Sequence, residues 1–307
     1  MGNVRPMSWI ALSLLSAFLL GFYNLLKKHA VDANSTLLVL LFSTTTSALF
    51  WLPAIANSFV PIVELPEMVN VSRLSLKTQG FIAVKSVIMI ASWMFGYAAL
   101  KNLPLSIAAP IRATGPLWTI FIATIFLGER PLPLQWMGIL VLLGAFYAFS
   151  FVGKLESIEF HRNKWVAYTL IATLLASLSG IYDKILLQSL ELRPADLQAY
   201  FSLFQALIMI PVVALARRRN TQKTPFQWRW SIPLVGLSLL FADFAYFSAV
   251  AQDGALISVI SPIRRASILI TFFGAIYLHK EVNFKPKFAC ICLLLIGVCI
   301  IKVASGS

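Results

Sequence analysis

Two arginines lie inside long apolar runs, each directly after a Pro-Ile pair. Arg112 belongs to "APIRATGP" at 109–116, and Arg264 belongs to "SPIRRASI" at 261–268. A guanidinium stays charged at physiological pH and binds a carboxylate through two parallel hydrogen bonds. At bilayer depth a cation costs roughly 2.5–3.5 kcal/mol on insertion scales, so it needs a partner or must reach back to the interface. The repeated position favours a polar inner face over two snorkelling side chains.

The prolines of the same motifs predict interruptions in two helices. Neither Pro110 nor Pro262 can donate to the carbonyl four residues earlier, which belongs to Ser106 and Ser258 respectively. In lipid, such a break persists only inside a bundle or beside a watery cavity. We therefore expect a hinge at each proline and a polar site around the serines. A packing kink, repaired by 3₁₀ geometry or by the serine itself, is the alternative.

Further polar residues accompany the two arginines. Thr119 and Thr271 follow them by seven residues, which is two helical turns on nearly the same face, and they extend the expected cavity lining. Counting Arg112 and Arg264, the apolar runs hold five cations and two carboxylates, the others being Lys85, Asp183, Lys184, Asp243 and Arg265.

These charges permit two interpretations. Asp183 and Asp243 are candidates for pairing with Arg264, Lys184 or Lys85, which leaves a positive surplus for an anionic or carboxylate-bearing substrate. Alternatively, the two lysines lie near the interfaces and snorkel. A buried carboxylate with a raised pKa would also carry a proton, whereas a salt-bridged one would stay ionised.

Aromatic residues add candidates for the cavity wall. The segment "GFYN" at 21–24 resembles "GIYD" at 180–183, so Tyr23, Asn24 and Tyr182 are expected to line the cavity with Asp183. Trp93 and Tyr97 would stack on a substrate, or else pack in the core.

The elements that must position these residues are membrane helices. The 307 residues are 59% hydrophobic and 12% charged, which is too apolar for a soluble domain. The net charge of +13 lies mostly between apolar runs, which fits topology signals and lipid headgroup contacts and not nucleic-acid binding. The pattern predicts ten helices, at 6–26, 35–57, 79–100, 103–127, 131–153, 164–187, 195–216, 231–250, 254–278 and 285–303.

The chain contains an internal repeat. A shift of 152 residues gives 11 identities in 36 positions over Phe95–Arg130, among them both Pro-Ile-Arg motifs. This predicts two five-helix domains, 1–153 and 164–307. Five crossings leave the chain on the opposite side, so the second copy must insert upside down. The predicted fold is an all-α integral membrane protein with a 5+5 inverted-topology repeat, an arrangement typical of transporters.

Two segments resemble a known family. "FLGERPLPLQWMGILVLLGAF" at 126–146 is similar to EamA-type members of the drug/metabolite transporter superfamily, and "HKEVNFKPKFACICLLLIGV" at 279–298 is a weaker version. The resemblance implies carrier-type movement of a small metabolite, often export, through a cavity lined by spans one, three, four, six, eight and nine. Glu129 and Glu281 mark the turns, where each carboxylate suits the positive end of the following helix.

The expected function is therefore a secondary active transporter of an amino acid or another carboxylate, acting by alternating access and most often as an exporter. A passive channel, a non-transporting membrane sensor and a membrane-embedded enzyme are the alternatives. The sequence has no nucleotide-binding motif, and no cluster of histidines accompanies the three cysteines. We therefore expect no catalysis, no cofactor and no metal. The expected partners are the lipid bilayer and a small metabolite, which is anionic if the surplus positive charge faces the cavity. A monomer can suffice, and a dimer is possible.

The expected location is the cell (inner) membrane, as a multi-pass protein. Its orientation is open, because the side of the two termini holds six Lys and Arg residues and the other side fourteen. The positive-inside rule places the second side in the cytoplasm, whereas the family resemblance implies the reverse.

Overall fold

The computed structural model consists of membrane-length and shorter helices, and no strand occurs among the residues it describes. These are residues 7–100, 111–112, 114–151, 163–218 and 224–267, with 270, 292–293, 296–297, 299–301 and 303–304. The helices are α1 Trp9–Val31, α2 Thr36–Phe59, α3 Leu76–Leu100, α4 Gly115–Phe126, α5 Pro133–Phe151, α6 Lys164–Lys184 with a π-helical turn at Ile185–Ser189, α7 Pro194–Arg218, α8 Ser231–Val250 and α9 Ile257–Arg265. The described residues of 292–304 are also helical.

The surface of the helices is suited to lipid. Six are long and apolar enough to cross a membrane, namely α1, α2, α3, α6 with its π-helical turn, α7 and α8, while α4 and α5 are shorter apolar helices. Large apolar side chains point outward, for example Phe18 with 50% of its surface exposed and Leu49 with 59%. A soluble protein would not leave so much contiguous apolar surface in water. The chain is therefore an all-helical, multi-pass integral membrane protein, as predicted.

The structure differs from the predicted helix boundaries at three places that matter for function: the end of the first helix and the interiors of spans four and nine. Helix α1 begins after Ser8, whose hydroxyl accepts a hydrogen bond from the N–H of Ala11, and it continues to Val31 instead of ending at residue 26. Lys27 therefore lies within the helix and not in a loop. Spans four and nine are interrupted, because α4 begins at Gly115 and α9 ends at Arg265.

Helices from the two halves of the chain pack against each other. The most extensive contacts join α1 to α8, α3 to α6 and α2 to α7, and α4 packs against α9. Two serine hydroxyls bond across these contacts to backbone carbonyls at 2.7 Å, from Ser16 to Ala242 and from Ser92 to Ala172. Small residues allow such close approach of backbones in membrane helices.

Polar interactions define two faces of the bundle. Face A comprises residue 7 and the connections 60–75, 127–132, 190–193 and 251–256, which are joined by hydrogen bonds such as that from Gln252 to the carbonyl of Met7. Face B comprises the connections 32–35 and 224–230. There the side chain of Asn34 exchanges two hydrogen bonds with the backbone of Gln227. The described connections after α2, α4, α6 and α8 lie at face A, and those after α1 and α7 lie at face B.

The α2–α8 contact yields a stability prediction. A Cβ on Gly236 would collide with the backbone carbonyl of Ser43, whereas a Cβ on Gly80 would meet nothing within 4 Å. We expect Gly236→Ala to destabilise the protein by about 1–3 kcal/mol, the usual cost of overpacking. Gly80→Ala should be neutral or stabilising by about 0.5–1 kcal/mol, because alanine favours a helix interior. Thermal unfolding in detergent measures both, and equal melting temperatures would contradict the close α2–α8 packing.

Candidate functional site

Spans four and nine are interrupted at matching positions. The N–H of Thr114 bonds to the carbonyl of Ile111 at 3.1 Å, and the N–H of Ala266 bonds to that of Ile263 at 3.0 Å. Both pairs are related by the shift of 152 residues, and both turn residues have similar backbone angles, φ −73° and ψ −10° against φ −58° and ψ −12°. Two 3₁₀-type turns therefore break the helices directly after the arginines.

The described break in span nine does not lie at Pro262. Pro262 is within α9 and buried, four residues before the turn at Ala266, so the predicted hinge position is displaced by one helical turn. A single proline in the second turn of a helix removes one backbone hydrogen bond, and the helix tolerates this loss. Pro110 lies outside the described residues, as do Ser106 and Thr271.

A cavity lies beside the two breaks and holds about 430 Å³ of empty space, its open mouth included. Its lining comes from α1, α3, α6, the segment before α4 and the end of α9, and consists of Lys27, Ser92, Trp93, Gly96, Arg112, Ala172, Thr173, Ala176 and Arg265. Small residues of α3 and α6 leave the space. The lining residues of α1 and α3 lie in the halves of these helices nearest to face B.

The cavity is strongly positive. Three of its described lining residues are cations, Lys27, Arg112 and Arg265, and none is a carboxylate. Arg112 is close enough to repel both other cations, and its side chain is exposed. Neither arginine belongs to a salt bridge within the described part of the chain. The cations of the lining repel one another, and no carboxylate of the described lining offsets this repulsion.

Arg264, which was predicted to line the cavity, is not among its described lining residues, whereas its predicted pairing with Asp243 is confirmed. Arg264 binds Asp243 at 2.6 Å, donates to Ser16 at 3.1 Å and stacks on the ring of Tyr246 at 3.9 Å. It is therefore neutralised between α1 and α8. Arg265 is the arginine that lines the cavity with Arg112, because consecutive helical residues point about 100° apart. Sequence comparison missed it, since Ala113 occupies the corresponding position.

Gly115 leaves room for the guanidinium of Arg265. A Cβ on Gly115 would stand 3.1 Å from the Nη2 atom of Arg265. Its carbonyl also accepts a hydrogen bond from Ser177 of α6 at 2.9 Å. The first residue of α4 thus fixes both the end of α9 and the wall of the cavity.

A second ion pair lies deep in the bundle. The ammonium of Lys85 stands 2.9 Å from the carboxylate of Asp183, and their side chains are only 1% and 3% exposed. The ammonium also lies 3.5 Å from the centre of the Phe201 ring and 5.2 Å from that of Phe247. The alternative of a snorkelling Lys85 was wrong, because the carboxylate and the aromatic rings satisfy the cation where it is.

The remaining predicted aromatic and amide residues divide between cavity and core. Trp93 lines the cavity. Tyr23 lies beside the cavity, since the centre of its ring is 5.3 Å from the ammonium of the lining residue Lys27. Tyr182 packs instead against the apolar core around α7 and α8, and Asn24 is half-buried on α1. The side chain of Tyr97 lies outside the described part of the structure.

Two predicted polar residues lie away from the cavity lining. Thr119 is buried in the α4–α9 contact, where its hydroxyl accepts a hydrogen bond from Ser261 at 3.4 Å. Ser258 lies at face A and donates to the carboxylate of Glu129. Thr119 lies beyond the turn at Thr114, and Ser258 lies at the start of α9, at the opposite end from Arg264 and Arg265.

The Lys85–Asp183 pair can be tested by a double-mutant cycle. We expect Lys85→Met or Asp183→Leu alone to cost about 3–5 kcal/mol, because each leaves an uncompensated charge in the bundle. The double variant should lose markedly less free energy of unfolding than the two single variants together, because neither charge is left without its partner. Thermal unfolding in detergent measures the cycle, and strictly additive losses would show that the two charges do not interact.

Comparisons with known proteins agree with the geometry. The chain is 22% identical over 278 residues to an "Uncharacterized transporter" of Archaeoglobus fulgidus, which covers 90% of this chain and 91% of the relative. It is 26% identical over 149 residues to the "UDP-sugar transporter UST74c" of Drosophila melanogaster, covering 48% of this chain and 38% of the relative. A crystal structure with 15% sequence identity matches 96% of both chains with a TM-score of 0.70, which supports the fold.

The family follows from a match along nearly the whole chain. The model of the EamA-like transporter family matches twice, over residues 7–151 and again over residues 163–303. Both matches contain one Pro-Ile-Arg motif and one helix break. The chain is a member of the EamA-like transporter family of the drug/metabolite transporter superfamily.

Proposed function

We propose that the chain is a secondary active transporter that moves a small anionic metabolite across the cell membrane by alternating access, in the direction of export. The main observation in support of this proposal is the cavity at the helix breaks, whose described lining has three cations and no carboxylate. In this proposal ten helices form two domains, 1–153 and 164–307, of inverted topology. The metabolite binds between the domains.

The helix contacts support an inverted repeat. Exchanging the two halves converts the α1–α8 contact into the α6–α3 contact, and it maps α2–α7 and α4–α9 onto themselves. Helix α1 begins at face A, whereas its counterpart α6 ends there at Lys184. Two like units with opposite direction can exchange roles, which is the physical basis of alternating access.

The cavity chemistry favours an anion that lacks a positive group. An amino acid, one of the predicted substrates, would bring an ammonium beside Lys27, Arg112 and Arg265, with no carboxylate in the described lining to bind it. A carboxylate or a phosphate ester would instead use the two guanidinium forks. Trp93 offers an apolar face to the remainder of the molecule. The name of the Drosophila relative, a UDP-sugar transporter, adds phosphate-bearing sugars to the substrates to be tested.

The cavity lies nearer to face B than to face A in the described structure. Its lining residues on α1 and α3 are in the face B halves of these helices, and the side chain of Arg112 is exposed. At face A, buried polar contacts join the helix ends, including the bond of 2.6 Å between Lys184 and Glu129. This asymmetry supports a state that is closed at face A, from which the substrate exchanges at face B.

Arginine substitutions test the binding role directly. Purified protein in liposomes would first be screened for saturable counterflow with labelled carboxylates and phosphate esters. With a substrate in hand, Arg112→Gln and Arg265→Gln should raise KM by about tenfold to a hundredfold, because each removes charge-assisted hydrogen bonds. Arg112→Lys should retain part of the affinity, since it keeps the charge and loses the fork.

A matched control separates the site from the general field. Arg217→Gln removes the same charge from the exposed end of α7 and should leave KM within about twofold, because solvent screens a distant exposed charge. Unchanged KM in both cavity variants would refute the anion site. Flux that increases linearly with concentration and lacks counterflow would identify a channel.

A further inference from the structure

Glu129 is the acidic residue at the end of the first Pro-Ile-Arg span. Helix α4 ends at Phe126, and Gly128 adopts φ +64°, a left-handed conformation that glycine accepts without strain. The N–H of Glu129 then returns to the carbonyl of Ala123 at 3.2 Å. The turn thereby directs the carboxylate into the bundle, where only 2% of the side chain is exposed.

The carboxylate binds the other half of the chain. One oxygen accepts hydrogen bonds from the N–H of Ile257 at 2.9 Å and from the ammonium of Lys184 at 2.6 Å. The second oxygen accepts from the N–H of Ser258 at 3.0 Å and from its hydroxyl. Lys184 in turn donates to the carbonyl of Ala255 at 3.1 Å. Glu129 therefore caps the N-terminus of α9 and joins it to the end of α6.

Glu129 caps a different helix from the one that the sequence pattern predicts. The sequence pattern assigns Glu129 to the following helix, α5, but there the N–H of Leu132 donates to the side chain of Gln135 at 2.9 Å. A local residue thus caps α5, and Glu129 is available for α9. Its interaction with a helix N-terminus is favourable for the expected reason, the positive end of the dipole.

The three connected elements also carry the cavity. Helix α9 ends with Arg265, α6 contributes Ala172, Thr173 and Ala176, and Arg112 lies directly before α4. For the cavity to open at face A, the face A ends of these helices must separate. The π-helical turn at Ile185–Ser189 follows Lys184 immediately, and such turns are rare and occur frequently at functional sites.

We propose that Glu129, with Lys184, is the latch that closes face A in the transport cycle. Its carboxylate must leave Ile257, Ser258 and Lys184 before the cavity opens at that face. Glu129 acts as a positioning residue, through α6 and α9, and it does not touch the substrate. The role as a latch depends on the proposed carrier function.

Two cysteine reporters test the latch in a background in which Cys290, Cys292 and Cys299 are serine. Ala255→Cys reports on face A, where the native alanine is buried beside Lys184, and Gly96→Cys reports on the part of the cavity lining nearest to face B. In detergent, the rate of labelling by a polar maleimide is measured for each reporter. Without further change, position 96 should label readily and position 255 slowly.

Loss of the latch should change the two rates in opposite directions. We expect Glu129→Gln and Lys184→Met to raise labelling at position 255 by about tenfold, because hydrogen bonds to a charged group no longer favour the closed state. Labelling at position 96 should fall in the same variants, because the face B half of α3 becomes covered when the cavity closes at that face. Glu64→Gln removes the same charge from an exposed position at face A and should change neither rate.

Two outcomes would overturn the latch. One is an unchanged rate at position 255 in both variants. The other is a rise at position 255 without a fall at position 96, which indicates local loosening of a structural turn. Because Glu129→Gln is nearly isosteric and Lys184→Met keeps the length of the side chain, at least one variant should fold. If the two labelling rates change in opposite directions but the protein shows no saturable flux, Glu129 controls the closure of face A and the proposed carrier function is refuted.

Discussion

A charge inside a membrane protein must be paired, hydrogen-bonded or hydrated, because lipid offers none of these. This constraint organises the described interior of the bundle. Lys85, Arg264 and Lys184 each bind one carboxylate, and all three pairs join helices. Arg112 and Arg265 take part in no such pair within the described residues, and both line the same cavity. The cavity is thus the place where water or an anion completes the electrostatics.

The two halves of the chain use the same break for different purposes. Their turns at Thr114 and Ala266 have matching hydrogen bonds, and each follows a Pro-Ile-Arg motif. In the first half the arginine faces the cavity. In the second half Arg264 is held by Asp243, and the next residue, Arg265, takes the position at the cavity. Two matching backbone turns therefore support an asymmetric cavity lining.

The sequence was sufficient for the class of fold and for the segments that matter. Apolar runs predicted membrane helices, and the shift of 152 residues identified two helices with related polar motifs. The repeat could not assign Arg265 to the cavity, because its counterpart is Ala113 and its direction depends on its position on α9. Lys27 was counted as a loop residue, because α1 extends five residues beyond its predicted end. The partner of Glu129 was also beyond reach, since it depends on how α9 packs against the end of α4.

A crystal structure with an anomalously scattering anion, such as bromide or selenate, tests the central claim most directly. The account predicts an anomalous peak within hydrogen-bonding reach of Arg112 and Arg265, beside the break between Thr114 and Gly115. The same peak should be absent from crystals of the Arg112→Gln/Arg265→Gln variant. Strong peaks confined to the connections at face A or face B, with the cavity empty in the unsubstituted protein, would contradict it.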